Sequence, residues 1–175
     1  MRSYQRSGLY TGIVSSLWLL GSFSIVVWLN AHIFHLDIPA TQVRAYGGLF
    51  SILILVIGIY LGLKAVKKES AMHITYGQAV KTGILISVIT GIIVALFGFL
   101  YCTVINPGYA DFMVSETQKA MMRAHASANE INDKLISVKK QFSTGSQVMQ
   151  ALVGQIVVGS ISSLIIGLFI RSKTK

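Results

Sequence analysis

The fold is decided by residues 82–105, which read TGILISVITGIIVALFGFLYCTVI. These 24 residues contain no Asp, Glu, Lys or Arg. At a helical rise of about 1.5 Å per residue they are long enough to cross the hydrocarbon core of a bilayer. Because lipid offers the backbone no hydrogen-bond partners, an apolar segment of this length is expected to be an α-helix. The segment therefore predicts a transmembrane span.

Three further apolar segments also lack charged side chains: residues 8–30, 46–63 and 148–170. The shortest, 46–63, can cross nearly upright or in a slightly thinned bilayer. A cleaved signal peptide is the alternative interpretation of the first segment, but its apolar stretch is too long and no small-residue cleavage pattern follows it. We therefore predict an all-α integral membrane protein, a single membrane domain over residues 1–175 with four transmembrane helices in a compact bundle.

The composition agrees with this class of protein. Of the residues, 53% are hydrophobic and 12% are charged, and the alternation typical of β-barrel strands is missing. The formal net charge is +9, but the basic residues stand at the ends of apolar segments rather than on one face, which argues against nucleic-acid binding. The single cysteine, Cys102, is interpreted as an inert buried thiol.

The positive charges predict the orientation of the chain, because Lys and Arg accumulate in cytoplasmic segments. Nine basic residues flank the spans on the predicted cytoplasmic side: Arg2, Arg6, Lys64, Lys67, Lys68, Lys81, Arg171, Lys173 and Lys175. The opposite side carries only Arg44 in its first loop, and the longer loop 106–147 nearly balances its charges. Both termini are therefore expected in the cytoplasm. Aromatic residues expected at the outer interface of this membrane are Trp28, Tyr46, Tyr101 and Tyr109.

Small residues recur four apart along each predicted span, which places them on one helix face. Such faces let helices approach closely and gain van der Waals contact, since lipid removes the hydrophobic drive for association. The predicted helix-packing residues are Gly8, Gly12, Gly58, Gly62, Gly91, Gly159, Ser163 and Gly167. The pattern favours packing within one chain over dimerisation, although it is compatible with both.

The segment 106–147 is too polar for a span and is predicted to form an extracytoplasmic, amphipathic helical loop. Turn-forming residues open and close it, and between them we expect a helix or helical pair that Asp111 caps. Apolar residues recur there at steps of three and four, and five of them form a candidate partner surface: Met121, Ile131, Leu135, Val138 and Phe142. A helix lying on the bundle is the alternative interpretation.

Groupings that would indicate catalysis or metal binding are weak. His32, His35 and Asp37 have a spacing that suits a metal, but no further ligand-rich segment completes a tetrahedral set. There is no nucleophile elbow, no phosphate-binding glycine loop and no pair of catalytic carboxylates. We therefore expect neither an enzyme nor a cofactor. Gln155, the most polar group in the spans, is interpreted as a hydrogen-bond partner for a neighbouring helix.

A segment before the third span resembles a known family. From Gly58 the chain reads GIYLGLK, and residues 74–83 read ITYGQAVKTG. This aromatic-Gly-Gln-Ala segment, the NPGY that starts at Asn106 and the short basic tail are similar to those of domain of unknown function 4199, a bacterial membrane-protein family. The resemblance covers nearly the whole chain. It implies a four-span inner-membrane protein of a Gram-negative bacterium, and it brings no assigned activity.

Five residues of this segment also have a local structural interpretation: Tyr76, Gly77, Gln78, Ala79 and Lys81. Thr75 is placed to cap the entering helix, Gly77 permits close backbone approach, and Lys81 can reach the inner headgroups. Gln78 is expected to bond to another helix end, with a ligand contact as the alternative.

These observations favour a non-enzymatic accessory or interaction component of the bacterial cell envelope, with an envelope protein or a second copy of the chain as partner. Lys64, Lys67 and Lys68 could also attract anionic lipid headgroups, although we prefer topogenic charge as their explanation. The alternative function is a small uncoupled channel or transporter component formed by oligomers, since no ionisable group lies at membrane depth. Its pore would be lined by Ser87, Thr90, Ser160, Ser162, Ser163 and Gln155.

Overall fold

The computed structural model describes residues 2–29, 33 and 40–172. Within these ranges the chain forms six α-helices and no β-strand. Four of the helices are long and apolar enough to cross a membrane. They are Ser3–Leu29 (α1), Ala40–Glu69 (α2), Tyr76–Leu100 (α3) and Thr144–Ile170 (α6). The predicted all-α class with four spans is thereby confirmed.

The other two helices form a hairpin between α3 and α6. They are Tyr109–Arg123 (α4) and Ala128–Gln141 (α5), and a π-helical turn, Tyr101–Ile105, extends α3 toward them. The polar segment is thus a helical pair, joined at His125, whose φ of 55° is left-handed. Asp111 does not cap α4. The helix already begins after Gly108, so Asp111 lies in its first turn, where a negative charge still favours the helix dipole.

The two ends of the described chain lie at one end of the molecule, here called the terminal end. Ser3 donates a hydrogen bond from Oγ to the carboxylate of Glu69 over 2.7 Å. Lys67 Nζ donates to the carbonyl of Ile170 over 2.7 Å, and the backbone N–H of Ser172 donates to the carbonyl of Ile74 over 2.9 Å. The opposite end, which carries α4 and α5, is called the hairpin end.

A capping box starts α3 at the terminal end. Thr75 Oγ1 accepts from the backbone N–H of Gln78 over 3.3 Å, and Gln78 Oε1 accepts from the backbone N–H of Thr75 over 2.9 Å. Two helix donors that would otherwise lack partners are satisfied in this way. Thr75 therefore caps the helix as the sequence predicts, whereas Gln78 bonds at the start of its own helix and not to the end of another.

The third span is the central element of the molecule. It packs most extensively against α6 and also against α1, which in turn packs along α2, whereas α2 and α6 contact each other much less. All eight residues predicted to pack helices are buried. A Cβ on Gly8 would lie 2.8 Å from Cβ of Ile89, and one on Gly12 would lie 2.7 Å from Cβ of Ile93. The small residues thus face neighbouring helices of the same chain.

The buried side chains form two clusters. One lies toward the terminal end and includes Leu55, Ile59, Leu63, Ile74, Ala79, Ile86 and Ile170. The other lies at the hairpin end and includes Phe23, Ala40, Tyr101, Cys102, Tyr109, Met113, Val138 and Phe142. Because the second cluster contains residues from the spans and from the hairpin, it holds α4 and α5 on the membrane helices.

Candidate functional site

Arg44 lies in the first turns of α2, and its side chain reaches toward the other helices of the hairpin end. Its Nη2 donates a hydrogen bond to Oε1 of Gln147 on α6. Its guanidinium carbon lies 5.7 Å from the ring centroids of both Tyr109 and Phe142, a distance at which cation–π attraction operates. These four residues, Arg44, Tyr109, Phe142 and Gln147, are called the Arg44 junction.

The aromatic rings at this junction pack edge to face. The centroid of Tyr109 lies 5.5 Å from that of Phe23, 5.7 Å from that of Tyr101 and 5.9 Å from that of Phe142. Tyr101 and Tyr109 are 7% and 2% exposed, so they pack inside the hairpin end of the protein. Tyr101 lies in the π-helical turn and Tyr109 begins the hairpin, and Arg44 lies over the ring of Tyr109.

The hydroxyl of Tyr109 is buried and makes no hydrogen bond of normal geometry to any residue in the described ranges. Burial raises the pKa of Tyr109 to about 12, against the opposing effect of the nearby Arg44 guanidinium. Burial dominates because the phenolate would lose more hydration than one neighbouring positive charge can replace. Tyr109 therefore stays neutral, and it contributes packing rather than charge to the junction.

Beneath the junction lies a small cavity of about 60 Å³. Arg44, Tyr101, Tyr109 and Gln147 supply its polar wall, and the rest of the lining is mainly apolar. A space of this size has room for a few water molecules, which need at least two polar partners each.

A larger space of about 390 Å³, here called the lateral groove, runs from Arg44 between α2 and α6. Its walls carry small residues, among them Gly48, Ala151 and Gly154. They also carry apolar residues: Leu19, Leu49, Ile52, Leu55, Val94 and Val158. The groove lies between α2 and α6, which contact each other much less than α3 contacts α6 or α1 contacts α2.

A family model described as "Protein of unknown function (DUF4199)" matches residues 6–172. The chain belongs to the DUF4199 family. The resemblance seen in residues 74–83 is thereby confirmed, and the match includes the Arg44 junction, the lateral groove and the hairpin. No curated protein and no solved structure matches the chain.

The polar residues considered as a pore lining do not converge in this DUF4199 chain. Ser87, Ser162 and Ser163 each donate to the carbonyl of the residue four positions earlier in their own helix. Thr90 Oγ1 donates to the carbonyl of Gly8 over 3.2 Å. Of the six residues, Gln155 alone lines the lateral groove, where its Nε2 donates to Ser51 Oγ over 3.4 Å while its Oε1 is buried and unpaired. These hydroxyls mainly serve helix contacts.

The candidate partner surface divides into two parts along the DUF4199 hairpin. Val138 and Phe142 are 3% and 6% exposed and pack against the spans, so they are not accessible to a partner. Met121, Ile131 and Leu135 lie farther from the membrane helices and are half-buried. A space of about 590 Å³ lies between the hairpin and the first turns of α2 and is here called the hairpin groove; Met121 lines it, whereas Ile131 and Leu135 do not.

Gly77 does not permit a close backbone approach as the sequence predicted, because a Cβ there would meet nothing within 4 Å. The other candidate residues have structural positions or lie outside the described residues. The metal candidates His32, His35 and Asp37 fall outside them, and the described part of the chain contains no group of three His, Cys, Asp or Glu side chains placed for a metal. Lys67 is engaged with the end of α6, whereas Lys64, Lys68 and Lys81 are exposed. Tyr76 packs against Gly167 of α6, and Ala79 is buried.

Sequence reasoning missed Arg44 as a site residue because it placed this residue in a loop. The predicted second span began at residue 46, whereas α2 begins at Ala40, so Arg44 stands on a rigid helix rather than in a connection. One signal was present in the sequence. Arg44 is the only basic residue in the first predicted outer loop, and the positive-inside rule expects few basic residues on that side of the membrane.

Proposed function

We propose that this DUF4199 protein is a non-enzymatic accessory component of the bacterial cell envelope. It binds an envelope protein through the distal half of its α4–α5 hairpin, which contains Met121, Ile131 and Leu135. The observation that carries this proposal is the contrast between the two halves of the hairpin. The proximal half is buried on the spans, and the distal half leaves apolar side chains only half covered.

The proximal half supplies a firm base for such a surface. Tyr109 and Met113 of α4 pack with Val138 of α5 and with Phe142, and all four side chains are almost fully buried. Arg44 contacts both aromatic rings. A surface carried on helices that are held in this way loses little conformational freedom on binding, which favours affinity.

The hairpin groove, which adjoins the distal half at Met121 and Ala124, has the shape and chemistry of a protein-binding site. The small side chains of Ala120 and Ala124 leave space in the hairpin groove. Met121 supplies a flexible apolar side chain that adapts to varied partners. Lys134 stands at the edge of the same groove. These features suit an amphipathic helix with an acidic flank, which would place its apolar face against Met121.

The test is photocrosslinking in intact cells from a photoreactive residue at Leu135. The matched control places the same residue at Ile136, which is 64% exposed and points about 100° away from Leu135 around the axis of α5. We expect one envelope protein to be captured from position 135 and not from position 136. The substitution Met121→Glu should abolish this capture while the helical circular dichroism of the purified chain is unchanged, because it replaces the apolar side chain that a partner would bury with a charged one.

Crosslinks from position 135 that reach only lipid or this chain would contradict the proposal. Equal capture from positions 135 and 136 would contradict it as well, because it would show contact without a defined surface. If Met121→Glu loses its helical circular dichroism, Ala124→Glu is used instead and should abolish the capture from position 135, since Ala124 is exposed on the same groove.

A further inference from the structure

We infer that the lateral groove binds an anionic phospholipid, with the phosphate at Arg44 and one acyl chain between α2 and α6. The inference stands on the charge of Arg44, on the open space beside two glycines and on the length of the groove. It does not depend on the protein partner proposed for the hairpin.

The charge of Arg44 lacks an acidic partner within residues 2–29, 33 and 40–172. The ion pairs formed there, Lys119 with Glu116 and Lys139 with Asp111, belong to the hairpin. A guanidinium has five N–H donors, and the hydrogen bond to Gln147 uses one of them. The remaining donors suit the oxygens of a phosphate, which arginine can bind in a bidentate manner.

Two glycines show that the groove is open space rather than a helix contact. A Cβ built on Gly48 or on Gly154 would meet nothing within 4 Å. By contrast, a Cβ on Gly159, five residues farther along α6, would collide with Ser87. The glycines of the groove therefore do not bring helices together, and their missing side chains leave room for something else.

The dimensions of the groove match one leaflet of a bilayer. Its wall on α2 runs from Arg44 to Leu55, eleven residues apart, which corresponds to about 16 Å of helix. The hydrocarbon core is about 30 Å thick, so the groove reaches about half way across it. Its volume of about 390 Å³ is also within the range of ligand sites.

The position of Arg44 sets the depth of the headgroup. It stands two residues before the apolar segment 46–63, at the level where phosphates lie, and below it the groove is mostly apolar. A small inorganic anion would occupy only the upper end and leave the apolar walls facing empty space. A phospholipid from the leaflet at the hairpin end satisfies both parts of the groove.

The test is native mass spectrometry of the purified full chain in mild detergent. It would be supplied with phosphatidylglycerol and phosphatidylcholine of identical acyl chains at equal concentration. We expect phosphatidylglycerol to be retained about fivefold more than phosphatidylcholine, the difference that one basic residue near a membrane surface provides. Arg44→Gln should remove this preference, whereas Arg6→Gln, at the exposed terminal end, should leave it unchanged.

A second pair of variants tests the acyl chain. Gly154→Leu, whose Cβ would meet no atom within 4 Å, should fill the groove and reduce the retention of both lipids, whereas Gly21→Leu, also in open space but on α1, should not. If Arg44→Gln loses its helical circular dichroism, Arg44→Lys takes its place and should keep part of the preference, since it keeps the charge.

Three results would overturn the inference. The first is equal retention of the two lipids by the unaltered chain, and the second is an unchanged preference in a folded Arg44→Gln variant. The third is displacement of phosphatidylglycerol by millimolar inorganic phosphate in both the unaltered chain and Gly154→Leu, which would show a small-anion site without an acyl chain.

Discussion

At the scale of single residues, the contact between α3 and α6 depends on side chains that are absent or very small. Gly159 faces Ser87, and Gly83 faces Ser163, so each helix offers a serine to a glycine of the other. The two serine hydroxyls donate to backbone carbonyls of their own helices, so neither hydroxyl is left unpaired at the contact. Close approach of the two backbones follows from this reciprocal arrangement.

The first prediction concerns Gly159. Gly159→Ala should destabilise the protein by about 1–3 kcal/mol, because its Cβ would strike Ser87 in a closely packed contact. Gly154→Ala, five residues earlier on the same helix, is the matched control and should be neutral or slightly stabilising, because open space surrounds it and alanine favours the helix. Denaturant unfolding in detergent measures both, and equal effects would contradict the packing described here.

The second prediction concerns Tyr109. Tyr109→Phe should be neutral or stabilising at pH 7, because it removes a buried hydroxyl that has no hydrogen bond to a described residue. Because the pKa of Tyr109 is higher in the folded protein than in the unfolded chain, ionisation of the phenol at high pH disfavours the folded state. The unaltered protein should therefore lose stability between pH 10 and about 12, by about 2 kcal/mol, and the phenylalanine variant should keep it.

Thermal unfolding of both proteins at neutral and alkaline pH checks this expectation. Met113→Ala serves as the reference for a packing defect, since Met113 is fully buried in the same cluster, and it should cost about 2–5 kcal/mol at every pH. A similar loss in Tyr109→Phe at pH 7 would show that the hydroxyl is hydrogen-bonded in the folded protein.

At the scale of helices, the short α5 shows how a polar segment starts a helix without burial. Ser127 accepts from the backbone N–H of Glu130, and the carboxylate of Glu130 accepts from the backbone N–H and the hydroxyl of Ser127. This capping box depends on charge, because the hydrogen bonds from Ser127 lower the pKa of Glu130. The start of α5 is therefore sensitive to pH.

The third prediction follows from that capping box. A lowered pKa means that the ionised carboxylate stabilises the folded helix, so the stabilisation is present above the ordinary value of 4.5 and is lost as the pH falls through the lowered value. Backbone chemical shifts at the start of α5 should show this acid transition. Glu130→Gln should remove the transition while keeping the helix, and its persistence in that variant would assign it to another group.

The four spans were predictable from sequence because lipid selects long uncharged helices, but their ends were not. Helix α2 begins at Ala40 instead of residue 46 and continues to Glu69 instead of residue 63. Hydropathy marks the part of a helix that contacts lipid, whereas the helix itself extends as long as its backbone bonds and caps permit. Arg44 lies in the part of α2 that precedes the apolar segment, so the hydropathy pattern placed it in a loop although it stands on the helix.

The hairpin shows a second limit of sequence reasoning. The spacing of Val138 and Phe142 correctly indicates one helix face, yet periodicity does not tell whether that face meets a partner or the same chain. Their burial follows from the turn at His125, which brings α5 back against α4, and from the rings of Tyr109 and Tyr101. Contacts between residues so far apart in the chain are not visible in local patterns.

At the scale of the whole molecule, the described chain crosses from end to end four times, so its two ends lie together. The basic residues concentrate at that terminal end, where Lys64 and Lys68 are exposed and Arg2 and Arg6 precede or begin the first span. Since positive charge favours the cytoplasmic side, the terminal end is expected in the cytoplasm and the hairpin outside it.

The fourth prediction tests this orientation by labelling single cysteines with a membrane-impermeant maleimide. In a Cys102→Ala background, Ser137→Cys on α5 should react in intact cells, whereas Ser70→Cys, in the turn between α2 and α3, should react only after the membrane is opened. Both serines are exposed, so burial does not confuse the comparison. The reverse pattern would invert the orientation and leave the fold unaffected.

The central position of α3 has a consequence for the order in which the protein is made. Its principal partner, α6, is the last helix in the described chain to leave the ribosome, so the face that carries Gly83, Ser87 and Gly91 enters the membrane before α6 can cover it. During synthesis of the hairpin that face meets lipid or the insertion machinery. Chains cut short before Thr144 should therefore be recognised as incomplete membrane proteins and degraded, even though three of their spans are already in place.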